Sequence, residues 1–233
     1  MIPIVLWGES SAPVVVESFE SQGCSSCPPA ERVMDMLQKT YGDSAILLTF
    51  HVDYWDSLGW KDPFSDLRYT QRQSDYAHAL HQDSVYTPEM VIQGEVGFLG
   101  SDGRRARTEI ESRLHHIQAR PLHFKISQSK GNALQLTLAD PFHQSAEKAV
   151  IVIVENTPDV HVLAGENKGE IMSGHYVVRD LRPMSSFQSN QSSAEILLNP
   201  IWNLNQTSIV VLVYDQNHLI TAAQRTPIPK GVL

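Results

Sequence analysis

Apolar and polar positions change period along the chain, and each change predicts an element. Val14-Val15-Val16-Glu17-Ser18-Phe19 is an apolar run of strand length. A polar turn, Glu20-Ser21-Gln22-Gly23, leads to Cys24-Ser25-Ser26-Cys27 and Pro28-Pro29. Beyond them Ala30, Val33, Met34, Leu37 and Tyr41 recur at helical spacing. The prolines locate the helix start. Neither ring nitrogen can donate to a carbonyl four residues back, and proline is tolerated only in the first turn, where amides have no helical acceptor. Regular helix is expected from Ser26 or Cys27, with Cys24 exposed at its positive end and Cys27 a turn deeper.

Gly42-Asp43 stops this helix, and residues 45–52 read as a strand buried on both faces, as in a sheet with parallel members. A polar and aromatic run follows, with His51, Asp53, Tyr54, Trp55, Asp56 and Trp60. Asp62-Pro63 predicts the N-cap and first residue of a helix carrying Phe64, Leu67, Tyr76, Ala79 and Leu80. Residues 85–92, with Pro88 at their entrance, and residues 96–99 predict a hairpin about Gln93-Gly94. Ser101 or Asp102 caps a closing helix holding Ile110, Leu114 and Ile117.

From Pro121 the character changes to short strands without a convincing helix. They cover residues 134–138, 149–155, 176–178, 194–198 and 209–214, separated by turns such as Lys130-Gly131-Asn132. The loop over residues 182–193 is rich in serine and glutamine. The expected fold is an α/β domain over residues 1–120, then an all-β, antiparallel sandwich-like domain of about seven or eight strands over 121–233.

Composition narrows the functions. The chain has 233 residues, 42% of them apolar, enough for one large or two modest domains. A net charge of −8 and a pI near 5.6 leave no basic stripe for phosphates. Arg104-Arg105-Ala106-Arg107 reads as the exposed start of a helix, so nucleic acid is not an expected partner. No transmembrane segment is expected. Residues 2–7 are apolar but too short, and lack the basic flank of a signal peptide, so the sequence alone points to the cytoplasm. The two cysteines, three positions apart, form neither a disulfide framework nor a structural zinc site.

At a helix start an anionic thiolate is stabilised by the dipole and by free amides, which makes Cys24 the expected nucleophile. Its thiolate attacks a disulfide sulfur, and Cys27 resolves the mixed disulfide. Ser25 and Ser26 offer hydroxyls to that thiolate, whereas Glu20 sets a carboxylate nearby that disfavours it.

The order of these pieces, with Thr87-Pro88 before a hairpin, resembles the thioredoxin fold. More narrowly, Ser21-Gln22-Gly23-Cys24-Ser25-Ser26-Cys27-Pro28-Pro29-Ala30, Phe50-His51-Val52-Asp53-Tyr54-Trp55-Asp56, Leu58-Gly59-Trp60-Lys61-Asp62-Pro63-Phe64 and Tyr86-Thr87-Pro88 look like a bacterial thioredoxin-like family with a CSSCPPA motif, catalogued as a domain of unknown function. Gly165-Glu166-Asn167-Lys168-Gly169 and Val177-Val178-Arg179 extend the likeness over the whole chain. The resemblance implies a cis Pro88 facing the dithiol, with Thr87 before it. It also implies a redox-active Cys24–Cys27 disulfide with no other cofactor, and a protein disulfide substrate or redox partner. It implies a buried acid that helps move the thiol proton, for which Glu17 is the candidate, one residue out of the usual offset. Members are often exported, so the compartment stays open.

Other residues carry two readings each. Glu17 serves the thiols or pairs with a basic side chain. His51, beside Asp53 and Asp56, shuttles protons, or joins Cys24 and Cys27 as a ligand for copper or zinc, or only orders an aromatic loop. Tyr54, Trp55 and Trp60 line a substrate groove with Ser25 and Ser26, or form core beneath a loop. Arg179 and residues 165–169 organise the β part or its contact with the first half, with Glu166 or Asp180 pairing to Arg179. Three functions follow from these readings. The first is a thiol–disulfide oxidoreductase, the second a copper-binding metallochaperone using Cys24, Cys27 and His51, and the third a non-catalytic binding module.

Overall fold

The computed structural model describes residues 12–116, 122, 124–129, 131–138, 148–184 and 192–228. The expectations placed on residues 2–7, on Ile117 and Pro121, and on most of the 182–193 loop lie outside them. In the first half, strand β1 (Val14–Glu20), helix α1 (Pro28–Tyr41) and strand β2 (Ala45–His51) come first. Helix α2 (Leu67–Ala79), strands β3 (Glu89–Ile92) and β4 (Val96–Leu99), and helix α3 (Gly103–His116) complete it. Strands β5 (Phe124–Gln128), β6 (Ala133–Leu138), β7 (Lys148–Glu155), β8 (Val160–His161) and β9 (Ile171–Met172) follow. Strands β10 (Val177–Pro183), β11 (Ser192–Leu197), β12 (Thr207–Tyr214) and β13 (Ile220–Pro227) end the described chain.

Eight strands form one mixed sheet in the order β13-β12-β7-β10-β2-β1-β3-β4. β1 and β2 are parallel, as their α1 crossover requires. β10 lies parallel on the other edge of β2, with Val177 opposite Thr49, and Thr49 N donates to Tyr176 O at 2.8 Å. Strands from the second half therefore extend the sheet of the first half, and the sheet runs unbroken across the expected division near residue 120. β2 is buried along its whole length, and an unpaired edge there would leave amides without acceptors. β5, β6 and β11 make a separate antiparallel sheet, and β8 and β9 a short hairpin.

Strand alternation decides which side chains face which layer. Val15, Phe19, Ile46, Leu48, Phe50, Val152 and Leu212 form one face, packed beneath Tyr69 and Tyr76 of α2. Val14, Val16 and Leu47 face the other way, against Met34 and Leu37 of α1 and Ile110 of α3. Further along that second face Ile151, Ile153, Val211 and Val213 pack against Leu134, Leu136 and Ile196 of the smaller sheet. Central strands covered on both faces read as unbroken apolar runs for this reason. Among the described residues no helix is long and apolar enough to cross a membrane.

One helix start differs from expectation. α2 begins at Leu67, capped by Asp66, whose carboxylate accepts from Arg68 N at 2.8 Å; Phe64 is outside it. Asp62 starts only a single turn, its Oδ1 accepting from Phe64 N at 2.9 Å and its carbonyl from Ser65 N at 3.2 Å, while its Oδ2 is taken by His51 and Gln22 N. Asp102 does cap α3, accepting from Arg105 N at 3.0 Å.

Candidate functional site

The centre of the site is local in origin. Cys27 is the N-cap residue of α1, and prolines fill the first helical positions. Cys27 O accepts from Ala30 N at 2.8 Å and Glu31 N at 3.3 Å, and Cys27 N donates to Cys24 O at 3.1 Å. Cys24 and Cys27 are joined in a disulfide, their Cα atoms 5.5 Å apart. The Thr87–Pro88 peptide bond is cis. Thr87 Oγ1 donates to Cys24 Sγ at 3.2 Å and accepts from Trp55 Nε1 at 2.8 Å. Ser26 Oγ lies 3.3 Å from the same sulfur and donates to Thr87 O at 3.3 Å. The indole sets the threonine hydroxyl, and the hydroxyl points its proton at Cys24.

The expected exposure of Cys24 is corrected. Both cysteines are 0% exposed. Val162 and Met172 form one buried cluster with them, and Trp55 and Trp60 pack against it. The covering residues come from the segment between β8 and β9, far along the chain, so a local reading of the helix start could not include them. Asn167 Nδ2 donates to Gln22 O at 2.9 Å and Cys24 O at 2.8 Å. Glu166 Oε2 accepts from Ser25 N at 3.3 Å and Ser25 Oγ at 2.7 Å. Trp55 and Trp60 pack against the cluster that holds the sulfurs, and Trp60 Nε1 donates to Gln22 Oε1 at 3.2 Å. Tyr54 does not cover the sulfurs; it packs against the α2 side and donates to Gln73 Oε1 at 3.2 Å.

A buried set of ionisable groups adjoins the helix start. β1 and β2 pair Glu20 with His51, and both are buried on the α1 side of the sheet. His51 Nδ1 lies 2.8 Å from Asp62 Oδ2, while its Nε2 is buried without a hydrogen-bond partner. Burial pulls the His51 pKa down, but Asp62, Glu20 and Glu31 outweigh it and the net shift is upward. Burial works upward on Asp62, yet His51 and the Gln22 and Phe64 amides hold it below the usual range. Burial, reinforced by Glu31, raises Glu20 to about 8. Burial likewise raises Glu31 to about 7. Glu20 is therefore largely neutral at pH 7, and the repulsion expected of it toward a Cys24 thiolate is weak. A void of about 10 Å³ is lined by Glu20, Glu31, Thr49 and His175. A larger cavity of about 250 Å³ shares Glu31, Asp35, Ser173 and His175 with its lining.

These shifts fix the direction of one prediction. The folded chain keeps protons on Glu20 and Glu31 that the unfolded chain releases above about pH 4.5, so each costs stability as pH rises toward 7 or 8. The raised His51 acts in the same sense, its contribution present below about 6.5 and lost above its folded value. Asp62, lowered, contributes above its ordinary value and is lost only in acid. Thermal unfolding followed from about pH 5 to 8 is expected to show falling stability, about 1.4 kcal/mol per pH unit for each proton released. Glu20→Gln is expected to flatten that slope; an unchanged slope would remove Glu20 from the account.

Glu17 is not part of this group. It faces α2, where Arg72 Nε and Nη2 donate to its two oxygens at 2.7 Å each, and Tyr76 OH donates at 2.9 Å. The one-residue offset put it on the opposite face from α1, and the ion-pair reading describes it, at a central strand. Arg179 pairs with Glu155 at 3.5 Å and lies over Phe64, with neither Glu166 nor Asp180 as partner. Asp180 is taken by Arg68 and Arg182. Asp53 accepts from Thr70 Oγ1 at 2.5 Å, and Asp56 from Ser65 Oγ at 2.7 Å, so both order the loop. Among the described residues no group of three or more His, Cys, Asp and Glu side chains is arranged to hold a metal ion. Sequence reasoning missed Glu31, Val162 and Met172 and gave Asp62 only a capping role, while Asn167 lies in the 165–169 segment expected to contact the first half. Residues 165–169 were the one available signal for the covering segment.

A family model described as a protein of unknown function, DUF1223, matches residues 15–214. No protein of curated function matches the sequence. Among solved structures, an X-ray crystal structure of an Agrobacterium tumefaciens protein superposes with a TM-score of 0.70 at 21% identity, covering 97% of this chain and 99% of that one. That likeness is one of fold. A domain of the outer membrane lipoprotein Omp28 from Porphyromonas gingivalis gives a TM-score of 0.28 at 10% identity, over 46% of this chain and 94% of that one, too slight to carry an argument.

Proposed function

The chain belongs to the DUF1223 family, described as proteins of unknown function, and we propose that this member is a thiol–disulfide oxidoreductase built on a thioredoxin-like core. The observation that carries the reading is the hydroxyl of Thr87, next to a cis proline, aimed at Cys24 Sγ of a disulfide at a helix start. A substrate thiolate attacks one sulfur of that disulfide, the Cys24–Cys27 bond breaks, and its electron pair leaves on the other sulfur. With Cys24 as the attacked sulfur, Cys27 departs as a thiolate and takes up a proton. A second substrate thiolate then attacks the mixed disulfide, releasing Cys24 and a substrate disulfide. The substrate dithiol loses two electrons and the protein disulfide gains them. The same steps in reverse reduce a substrate disulfide.

Departing Cys24 is a thiolate at the positive end of α1, with a hydrogen bond available from Thr87. The proton for Cys27 comes from Glu20 and Glu31 in this scheme, not from Glu17. Values of about 8 and about 7 suit groups that exchange protons with thiols near neutrality. Glu31 starts one turn after Cys27 on α1, its amide on the Cys27 carbonyl. The void between the two acids has about the size needed for one relaying water. Protein disulfides are the substrate class this reading names.

The test is turnover of protein disulfides: reduction of insulin driven by dithiothreitol, and recovery of a scrambled disulfide protein. Rates above the uncatalysed controls in at least one assay are expected. In Cys27→Ser, Cys24 is expected to hold its partner as a mixed disulfide, visible by mass spectrometry without reductant. Absence of both turnover and trapped partner would sink the proposal.

A further inference from the structure

Neither sulfur can be attacked while both are fully covered, so the proposed exchange needs a part that moves. We infer that the hairpin spanning residues 160–172 is a lid over the disulfide, latched by Asn167 and Glu166, and that its opening sets access to the sulfurs. This inference rests on the redox reading of the same site.

The hairpin is built to move as one piece. Its own backbone bonds hold it together: Val160 pairs with Met172, Val162 N donates to Glu170 O at 3.0 Å, and Gly169 N donates to Val162 O at 2.8 Å. At its base Thr157 N donates to Gly174 O at 2.8 Å, and Ser173 N reaches Glu31 Oε2 on α1 at 3.1 Å. Its hold on the body is narrow. Between His161 and Met172 only Val162, Asn167 and Met172 are buried, while Leu163 and Ile171 are 71% and 58% exposed. Val162 and Met172 seal the sulfurs, and Asn167 supplies the polar latch to the Gln22 and Cys24 carbonyls. Glu166 adds the hydrogen bonds from Ser25 at the exposed rim. Segments with few buried contacts and self-contained bonding open at low free-energy cost. The lid closes on backbone atoms of the CxxC motif and of the turn before it, Gln22 O, Cys24 O and Ser25 N, so it blocks the reactive centre.

A stiff fit supports the closed position. Gly165, at φ +74°, sits so close to Trp60 that an added Cβ would be 2.9 Å from the Trp60 Cβ. Alanine there both strains the backbone and pushes the lid off the Trp60 Cβ.

The experiment is the rate of reduction of the Cys24–Cys27 disulfide by dithiothreitol in the full-length protein. A dithiothreitol thiolate opens the disulfide, and its second thiolate closes the cyclic product and releases the reduced pair. Asn167→Ala removes both latch bonds and is expected to raise the rate about tenfold, the equivalent of about 1.4 kcal/mol. Gly165→Ala, which leaves Asn167 in place, is expected to raise it too, while thermal unfolding confirms that each variant is folded. Rates within twofold of wild type in both folded variants would overturn the lid. A small dithiol needs no physiological partner, so this result stands apart from the insulin assay. A protein with an openable lid and no protein-disulfide turnover would retain this inference and lose the proposed function.

Discussion

Cys24→Ser is expected to reduce protein-disulfide exchange to the uncatalysed background, while leaving the chain folded. A serine hydroxyl can neither be ionised at neutral pH by a helix start nor join a mixed disulfide, so no step of the cycle survives. The fold loses little. The bridge closes a loop of four residues, and such a short loop restricts the unfolded chain by only about 2 kcal/mol. The comparison with Cys27→Ser is the informative part. Both variants lose the disulfide, but only Cys27→Ser retains the sulfur that Thr87 Oγ1 addresses, and it alone should capture a partner. Exchange measured with purified variants checks this. Turnover that persists in Cys24→Ser would remove that cysteine as the nucleophile, and capture by Cys24→Ser in place of Cys27→Ser would exchange the roles.

Arg72→Ala is expected to destabilise the protein by about 3–5 kcal/mol, the range for breaking a buried ion pair by removing one partner. Arg72 is 7% exposed and Glu17 1%. The guanidinium meets the carboxylate through two bonds of 2.7 Å, bonds Tyr76 OH at 2.9 Å, and lies over the rings of Phe50, Tyr76 and Tyr214. Alanine leaves a carboxylate in an interior with little water to receive it, and empties a space between α2 and the sheet. The double change Glu17→Leu with Arg72→Met is expected to recover much of the loss, because no charge is then stranded. Urea unfolding of the two variants beside the wild type checks this. A loss below about 1 kcal/mol for Arg72→Ala would mean that Glu17 is hydrated or protonated at no cost. Because this pair lies on the face away from α1, exchange per folded molecule should not change in either variant.

Several parts of the molecule were legible from short stretches of sequence. Apolar runs located β1, β2, β7 and β12 because both sheet faces are covered, and a strand so placed has no polar side to show. Pro28-Pro29 fixed the start of α1, since proline is tolerated in only one part of a helix. The resemblance marked a cis Pro88 facing the dithiol; the Thr87–Pro88 bond is cis, and the Thr87 hydroxyl, which the resemblance did not single out, reaches the Cys24 sulfur. The same local logic failed at Asp62. An aspartate before proline is a sound helix signal, but here it starts one turn that is not continued into α2, with Oδ1 on the Phe64 amide and Oδ2 on His51 and the Gln22 amide.

By itself, then, the amino-acid order determined where α1 and the apolar strands β1, β2, β7 and β12 form and that two cysteines stand at a helix start, because those outcomes depend on residues within a turn or two of each other. Tertiary structure alone decided that Glu17 belongs to Arg72 while Glu20 joins His51, since alternate strand positions point to opposite layers and a single step of register exchanges them. It also decided that β10 extends the first sheet at β2, and that Val162, Asn167 and Met172 close over the disulfide. Contacts of that kind join residues too far apart along the chain for any periodic pattern to record.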